Sequence, residues 1–189
     1  MNKNRLKLHF LLVSILILFF AVSGNSIEFI AEDNVNISNI HEIDGDLYVW
    51  GNNITVDGEV EGDMTGGGYQ VVTNGEITNS VNIFAYDYTH NGYVDGSMRL
   101  FAYTADIDGN IGRSLLAVSN TIKIGKEAVI EDDSYITGGI INFDGTANNN
   151  LKISAGTIYL TGTIEGDLEI HADKINILAP ALIKGDFKY

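Results

Sequence analysis

The sequence predicts an all-β fold, a three-sided parallel β-helix (a solenoid) of about nine coils of 17 to 19 residues. Three observations support it: a short motif recurs at near-constant spacing, aligned repeats show apolar columns, and three other aligned positions hold small residues. The composition agrees, since the 189 residues include 21 Gly, one Pro and no Cys. Such a mixture suits many short strands joined by tight turns.

The repeated motif is a branched apolar residue, a polar residue, often Gly, then Asp, Ser or Asn, and finally an apolar residue. Successive copies begin 17 residues apart, or 19 residues apart in two cases. The copies are IDGDL at 43, VEGDM at 60, ITNSV at 77, VDGSM at 94, IGRSL at 111, IEDDS at 130, ANNNL at 147, IEGDL at 164 and IKGDF at 183. A fixed period of this length over most of the chain is the signature of a repeat architecture.

Numbering each coil from position 0 at the start of its motif places apolar residues at positions 0, 4, 6, 11 and 13. The two-residue spacing within these columns is that of strands with one buried face. Position 2 is usually Gly, position 8 is always small and position 15 is mostly Gly, which suits corners that need a positive φ or a close backbone approach. Each coil is therefore expected to supply three short strands that pair in parallel with the coils above and below. His90 falls in an inward column and is expected to be a core histidine with local hydrogen bonds.

The N-terminus is different from the repeats. Residues 1–23 have a basic start, an apolar run and small residues at the end, which is the layout of a secretory signal. Cleavage after Ser23 and retention as an N-terminal anchor both remain open, and in the second case residues 8–22 would contact the membrane. Residues 24–42 are expected to form an irregular coil that either caps the solenoid or pairs with it, and residues 43–189 the β-helix itself.

The charge of the exported part excludes some partners. Residues 24–189 hold 8 basic and 25 acidic side chains, a net charge of −17. A surface this acidic repels nucleic acid and anionic lipid, so no nucleic-acid partner is expected.

The segment TGTIEGDLEIHADKINI, at 161–177, resembles the repeat of bactofilins, the polymer-forming cytoskeletal proteins of bacteria. The resemblance extends over nearly all of residues 43–189. It implies a right-handed helix whose subunits stack end to end into filaments without a nucleotide, so that the main partner is a second copy. Bactofilins are typically cytoplasmic with fewer windings, whereas the signal here predicts an exported protein, in the periplasm, at the cell surface or outside the cell.

The last repeat, IKGDFKY, ends inside a strand. An uncovered solenoid end presents unpaired backbone groups and open core, both of which favour association. Ile183, Phe187 and Tyr189 are therefore the predicted self-assembly end.

Aromatic residues occur at the outward positions 7 and 9 of neighbouring coils. They are Trp50, Phe84 and Phe101 in one column and Tyr69, Tyr86 and Tyr103 in the other. Aligned rings can stack on one another and stiffen a sheet. They can also bind another subunit or a sugar, so the alternative function is a module that binds peptidoglycan or another glycan.

Acidic residues occur beside the glycine corner, and Asp44, Asp46, Glu61 and Asp63 are weak candidates for calcium ligands. The competing interpretation is a solvated edge whose side chains make turn hydrogen bonds. No other cofactor is expected.

Enzymatic activity is not expected. Ser, His and Asp form no recognisable nucleophile motif. Polysaccharide-active β-helix enzymes build clefts from long loops, and coils this uniform leave almost no loop material. The two longer coils add only two residues each, around 126–129 and 179–182.

Overall fold

The computed structural model describes residues 26–189. The predicted signal or anchor at 1–23, with its apolar run at 8–22, lies outside the described residues. Among residues 26–189 every regular element is a strand, and no helix long and apolar enough to cross a membrane is present there.

Twenty strands follow one another between residues 26 and 189. They are β1 Ser26–Ala31, β2 Asn34–Ile37, β3 Glu42–Ile43, β4 Gly45–Val56, β5 Glu59–Val60, β6 Met64–Thr73, β7 Glu76–Ile77, β8 Val81–His90, β9 Tyr93–Val94, β10 Met98–Ile107, β11 Asn110–Ile111, β12 Leu115–Ile124, β13 Val129–Ile130, β14 Ser134–Phe143, β15 Thr146–Ala147, β16 Leu151–Leu160, β17 Thr163–Ile164, β18 Leu168–Ile177, β19 Leu182–Ile183 and β20 Phe187–Lys188.

Strands one coil apart pair in parallel, which confirms the predicted β-solenoid. The long strands, with β1, β2 and β20, form one sheet of 11 strands, and the other two-residue strands form a second sheet of nine strands. The register repeats with the sequence period, so that Met98 lies on Val81 and Leu115 lies on Met98. Since the coils stack directly on one another, the hydrogen bonds between them run along the axis of the rod.

The segment before residue 43 was expected either to cap the solenoid or to pair with it, and it pairs. β1 pairs with Gly45–Trp50, and β2 pairs with Asn53–Val56. Residues 26–42 therefore form a coil of their own, and the solenoid has about ten turns instead of nine.

The expectation of three separate strands per coil is wrong in detail, because two of the three sides belong to one bent strand. In β8 the buried side chains change from odd to even positions at Ala85, so that Phe84 and Tyr86 both point outward. The pairing with the next coil is interrupted at the same point. Ala85 and Asp87 each have a paired residue there, but Tyr86 between them has none. A small residue at position 8 lets the strand turn a corner without ending.

The core is the stack of apolar columns that the repeat predicts. Tyr88 is 2% exposed, and most other members of these columns are completely buried. The columns continue through the whole rod as one cluster, from Val35 to Ile170. Burial of apolar side chains in every coil supplies the main stabilising term.

Glycine occupies the corners because neighbouring coils approach closely there, and not because the chain needs a positive φ. Among the residues that the structure describes, only Gly45 has such a conformation, with φ of 119°. A Cβ atom on Gly96 would lie 2.7 Å from the backbone of Asn79, and a Cβ on Gly92 would collide with the carbonyl oxygen of Gly75.

Extra residues enter the solenoid at one corner. Tight turns occur at 125–128 and 178–181, where the sequence predicts insertions, and the same turn occurs at 38–41. Each is closed by a backbone hydrogen bond, as in Ala128 N–H to Gly125 O at 3.2 Å and His41 N–H to Ser38 O at 2.9 Å. The turns carry the additional residues outward, so the strands before and after them keep their register.

We expect Gly92→Ala to lower the free energy of unfolding by about 1–3 kcal/mol, because the added methyl group meets the backbone of the coil below. Gly156→Ala is the milder comparison and should cost less, since its new Cβ would meet one backbone atom at 2.9 Å and the next only at 3.8 Å. Urea unfolding of both variants measures the difference. Equal losses would show that corner packing does not select glycine.

Candidate functional surfaces

The six predicted aromatic residues form one exposed surface, which we call the aromatic ridge (Trp50, Tyr69, Phe84, Tyr86, Phe101 and Tyr103). Their columns flank the bend of the long strand at position 8, which is why both columns point outward. Each side chain is between 41% and 55% exposed. The structure therefore brings together all six residues that the sequence selected.

The rings of the ridge stack along the rod. The ring centroids of Tyr69 and Tyr86 are 4.8 Å apart with planes 5° apart, and Tyr86 and Tyr103 are also 4.8 Å apart. Phe84 and Phe101 stack at 5.4 Å in the neighbouring column. The separation matches the spacing of paired strands, so the coil repeat itself sets the stacking distance.

Gly67 interrupts the first column, between Trp50 and Phe84. The indole ring of Trp50 occupies the space that a Cβ on Gly67 would need. The tryptophan therefore covers this glycine, which is buried, and the two aromatic columns form a continuous surface.

Stacking limits which parts of the rings a partner can reach. Tyr86 has Tyr69 on one face and Tyr103 on the other, so only its edge and hydroxyl group are accessible. Desolvation raises the pKa of the Tyr86 hydroxyl, and the two neighbouring tyrosines raise it further. A sugar that stacks on an aromatic face needs an open face, and Tyr86 has none.

The second candidate surface is the apolar end of the rod, which we call the end face. Its members, all at positions that face inward in other coils, are Ile175, Ile177, Ile183, Phe187 and Tyr189. Ile177 is 40% exposed, whereas Ile107 and Ile124 in the same column are completely buried. β20 covers only Leu168 and Glu169 of β18, and no described strand pairs with the far edge of residues 174–177.

The predicted end residues belong to this face to different degrees. Ile183 is half-buried, Phe187 is 37% exposed, and Tyr189 is 86% exposed. The rings of Phe187 and Tyr189 lie 5.3 Å apart. Sequence reasoning did not assign Ile175 and Ile177 to the end, although each is the last member of an inward column and was therefore identifiable from the repeat.

The four calcium candidates do not form one site. Carboxylate oxygens of Glu42, Asp44 and Glu61 lie within 4.8 Å of one another on the surface. A hydrogen bond with Glu42 and the negative charge of that residue raise the pKa of Glu61. The sequence did not identify Glu42 because it precedes the motif.

Asp46 and Asp63 instead belong to a ladder of side chains at position 3. Asp46 Oδ1 accepts the backbone N–H of Asp63 at 2.9 Å, and Asp63 Oδ1 accepts the N–H of Ser80 at 2.9 Å. The ladder continues at the other end of the rod, where Asn150 Oδ1 accepts the N–H of Asp167 at 2.8 Å. Position 3 therefore favours Asp, Asn or Ser because each side chain satisfies the next coil's backbone.

His90 is a buried core histidine, as predicted. Its Nε2 lies 3.4 Å from the carbonyl oxygen of Asn110, which can only accept, so Nε2 carries the proton. Thr73 Oγ1 lies 2.9 Å from His90 Nδ1 and 2.9 Å from Tyr88 OH. The chain of donors thus runs from Tyr88 through Thr73 to His90 and Asn110. Burial lowers the pKa of His90 to about 4 and raises the pKa of Tyr88.

A groove of about 660 Å³ lies at the insertion corner, between the turns that contain Lys126 and Pro180. Its floor consists of small residues such as Gly145, Gly162 and Thr163. Within the lining, the hydroxyl group of Thr161 donates a hydrogen bond to the carboxylate of Asp144.

Comparison with known proteins gives no match to a family model, a curated protein or a solved structure. Membership of the bactofilin family therefore stays a prediction from the repeat.

We expect acid to destabilise the protein through His90. Between pH 6.5 and about 4 the unfolded chain binds a proton at this residue that the folded chain does not, so stability falls as the pH falls. The contribution lost is about 3 kcal/mol. Urea unfolding at several pH values measures it, and His90→Leu should flatten the slope across this window. An unchanged slope in His90→Leu would contradict the assignment.

We expect Asp63→Ala to lower the free energy of unfolding by about 1 kcal/mol, because the N–H of Ser80 loses its acceptor. Asp63→Asn keeps an acceptor oxygen and should be close to the unsubstituted protein. Chemical denaturation with and without calcium separates this role from metal binding. A calcium-dependent gain in stability that Asp63→Asn removes would show that the residue is a ligand.

Proposed function

We propose that this protein is a non-enzymatic structural protein whose rods associate end to end into filaments or a scaffold of the cell envelope. The observation that carries the proposal is the end face. Residues of columns that are buried in other coils are exposed there, next to a strand edge with free backbone donors and acceptors. A second copy of the chain offers apolar residues and strands at the same spacing.

The energetics favour covering this face. Ile177, Phe187 and Tyr189 stand at positions that face inward in other coils, and here they are 40%, 37% and 86% exposed. Removing apolar surface from water contributes about 25 cal/mol per Å². An open strand edge adds hydrogen bonds that need no specific side chain, which is how edge strands associate in general.

The regular coils support a structural role in a second way. A solenoid with short turns behaves as a rod whose sides have a constant spacing. The resemblance to bactofilins points in the same direction. Together with the predicted signal at residues 1–23, it leads us to propose a rod that is exported to the periplasm or the cell surface.

The alternative function is binding of peptidoglycan or another glycan on the aromatic ridge. Six exposed rings favour it. The stacking of Tyr86 between two other tyrosines weighs against it, because the faces that sugars stack on are covered. The ridge therefore gives less support to this function than the end face gives to assembly.

We expect the purified protein to form elongated assemblies, seen by electron microscopy and sedimentation velocity. The double variant Ile177→Lys/Phe187→Asp places charge on the end face and should stop this growth. Ile140→Lys/Tyr135→Asp is the matched control, because it makes the same types of change at exposed residues on the side of the rod, 46% and 38% exposed.

The control variant should still assemble. Protein that remains monomeric at every salt concentration, or an end variant that grows as well as its control, would overturn the proposal.

A further inference from the structure

The charge of the rod is concentrated on one side, and the aromatic ridge lies on another. Residues 47–56 of β4 and the long strands β6, β8, β10, β12, β14, β16 and β18 contain four acidic and four basic side chains. The segments between them, from 42–46 to 178–186, hold 18 acidic and three basic side chains. We call this second region the acidic side; it comprises the short strands and their two corners.

The long-strand sides are also neutral locally, since several of their charges pair with one another. Lys123 Nζ lies 3.0 Å from Asp106 Oδ1, and Lys152 Nζ lies 2.6 Å from Glu169 Oε1. Within the four coils that carry the ridge, Asp87, Arg99 and Asp106 are the only charged residues on the long strands after residue 46, and Asp106 pairs with Lys123 of the next coil. The ridge is therefore an exposed aromatic surface in neutral surroundings on a protein that is otherwise strongly acidic.

This distribution determines how two copies can approach each other side by side. Two acidic sides repel, and at physiological salt the repulsion acts over a Debye length of about 8 Å. If the two copies instead meet through their long-strand sides, the acidic side of each copy faces solvent. This arrangement also brings apolar rings together, which removes their edges from water.

We propose that the aromatic ridge is the lateral contact between two copies of this chain. The edges of the tyrosine and phenylalanine columns of one copy meet the ridge of the other, and tyrosine hydroxyl groups at the edges find hydrogen-bond partners across the contact. Neither copy needs to open the stacked rings. This contact goes beyond end-to-end growth, because it uses different residues and would join rods side by side.

A glycan fits the same surface less well. Stacking of a sugar on the ridge would use the ring faces, and the face-to-face contacts at 4.8 Å already occupy them within the tyrosine column. A basic protein partner would be drawn to the acidic side instead of the ridge. A second copy is the partner that both the ring edges and the charge distribution suit.

The test uses the end-blocked protein, Ile177→Lys/Phe187→Asp, so that side-by-side pairing is measured without filament growth. Sedimentation velocity should show a dimer. Adding Tyr86→Ser/Phe101→Ser should convert it to a monomer, whereas Tyr135→Ser/Tyr159→Ser, at two residues that are each 38% exposed and outside the ridge, should leave the dimer. Circular dichroism and thermal unfolding report whether each variant folds.

A second variant keeps every ring. Thr104→Glu adds a negative charge beside Tyr103, and it should weaken the dimer at about 0.05 M salt and restore it at about 0.5 M salt, where the charge is screened. Two results would overturn the proposal. One is an end-blocked protein that is monomeric at all salt concentrations, and the other is a dimer that persists after the ridge rings are removed. Retention of a monomeric protein on insoluble peptidoglycan through Tyr86 and Phe101 would overturn it in favour of glycan binding.

The two proposals fail in different ways. If end-to-end association is wrong, the unsubstituted protein forms no long assemblies, yet the ridge dimer remains. If the lateral contact is wrong, electron microscopy shows single rods of constant width, and the ridge variants do not change that width.

Discussion

The rest of the structure depends on one constraint, which is that the backbone of each coil must lie directly on the backbone of the coil below. Parallel pairing of strands fixes the separation and the register at the same time. A coil therefore contains 17 residues, or 19 where two additional residues form a turn outside the stack. Such turns lie at 125–128 and at 178–181, at the same corner of their coils. Close approach at Gly75 and Gly92 follows from the same requirement, since a side chain there would separate the coils.

Because the coils are in register, each side chain lies next to its equivalent in the neighbouring coil. Apolar columns become a continuous core, and the carboxylate of Asp46 meets the backbone N–H of Asp63 one coil further on. The tyrosines of the ridge stack for the same reason, without a dedicated binding pocket. One repeat thus produces the core, the polar ladder and the exposed ridge together.

The repeat made most of the fold predictable, because a period of 17 residues and its columns are visible in the letters themselves. The first coil was harder, since Glu28 pairs with the inward-facing Leu47 and the turn at 38–41 shifts the register by two residues. From the sequence alone, the bend at Ala85 could not be distinguished from the end of a strand, because a small residue is suited to both. The ridge was predicted in full, whereas contact of Glu42 with Asp44 and Glu61 depends on side-chain positions that spacing does not provide.

The hydrogen bonds that join the coils run along the rod, and this gives the protein a particular response to tension. A pull on the two chain ends separates coils at the ends of the stack, one after another, instead of shearing many bonds at once. Each released coil of 17 residues supplies about 60 Å of extended chain. Under load, such a rod lengthens in steps of nearly equal size, and the remaining coils keep their packing while it does so.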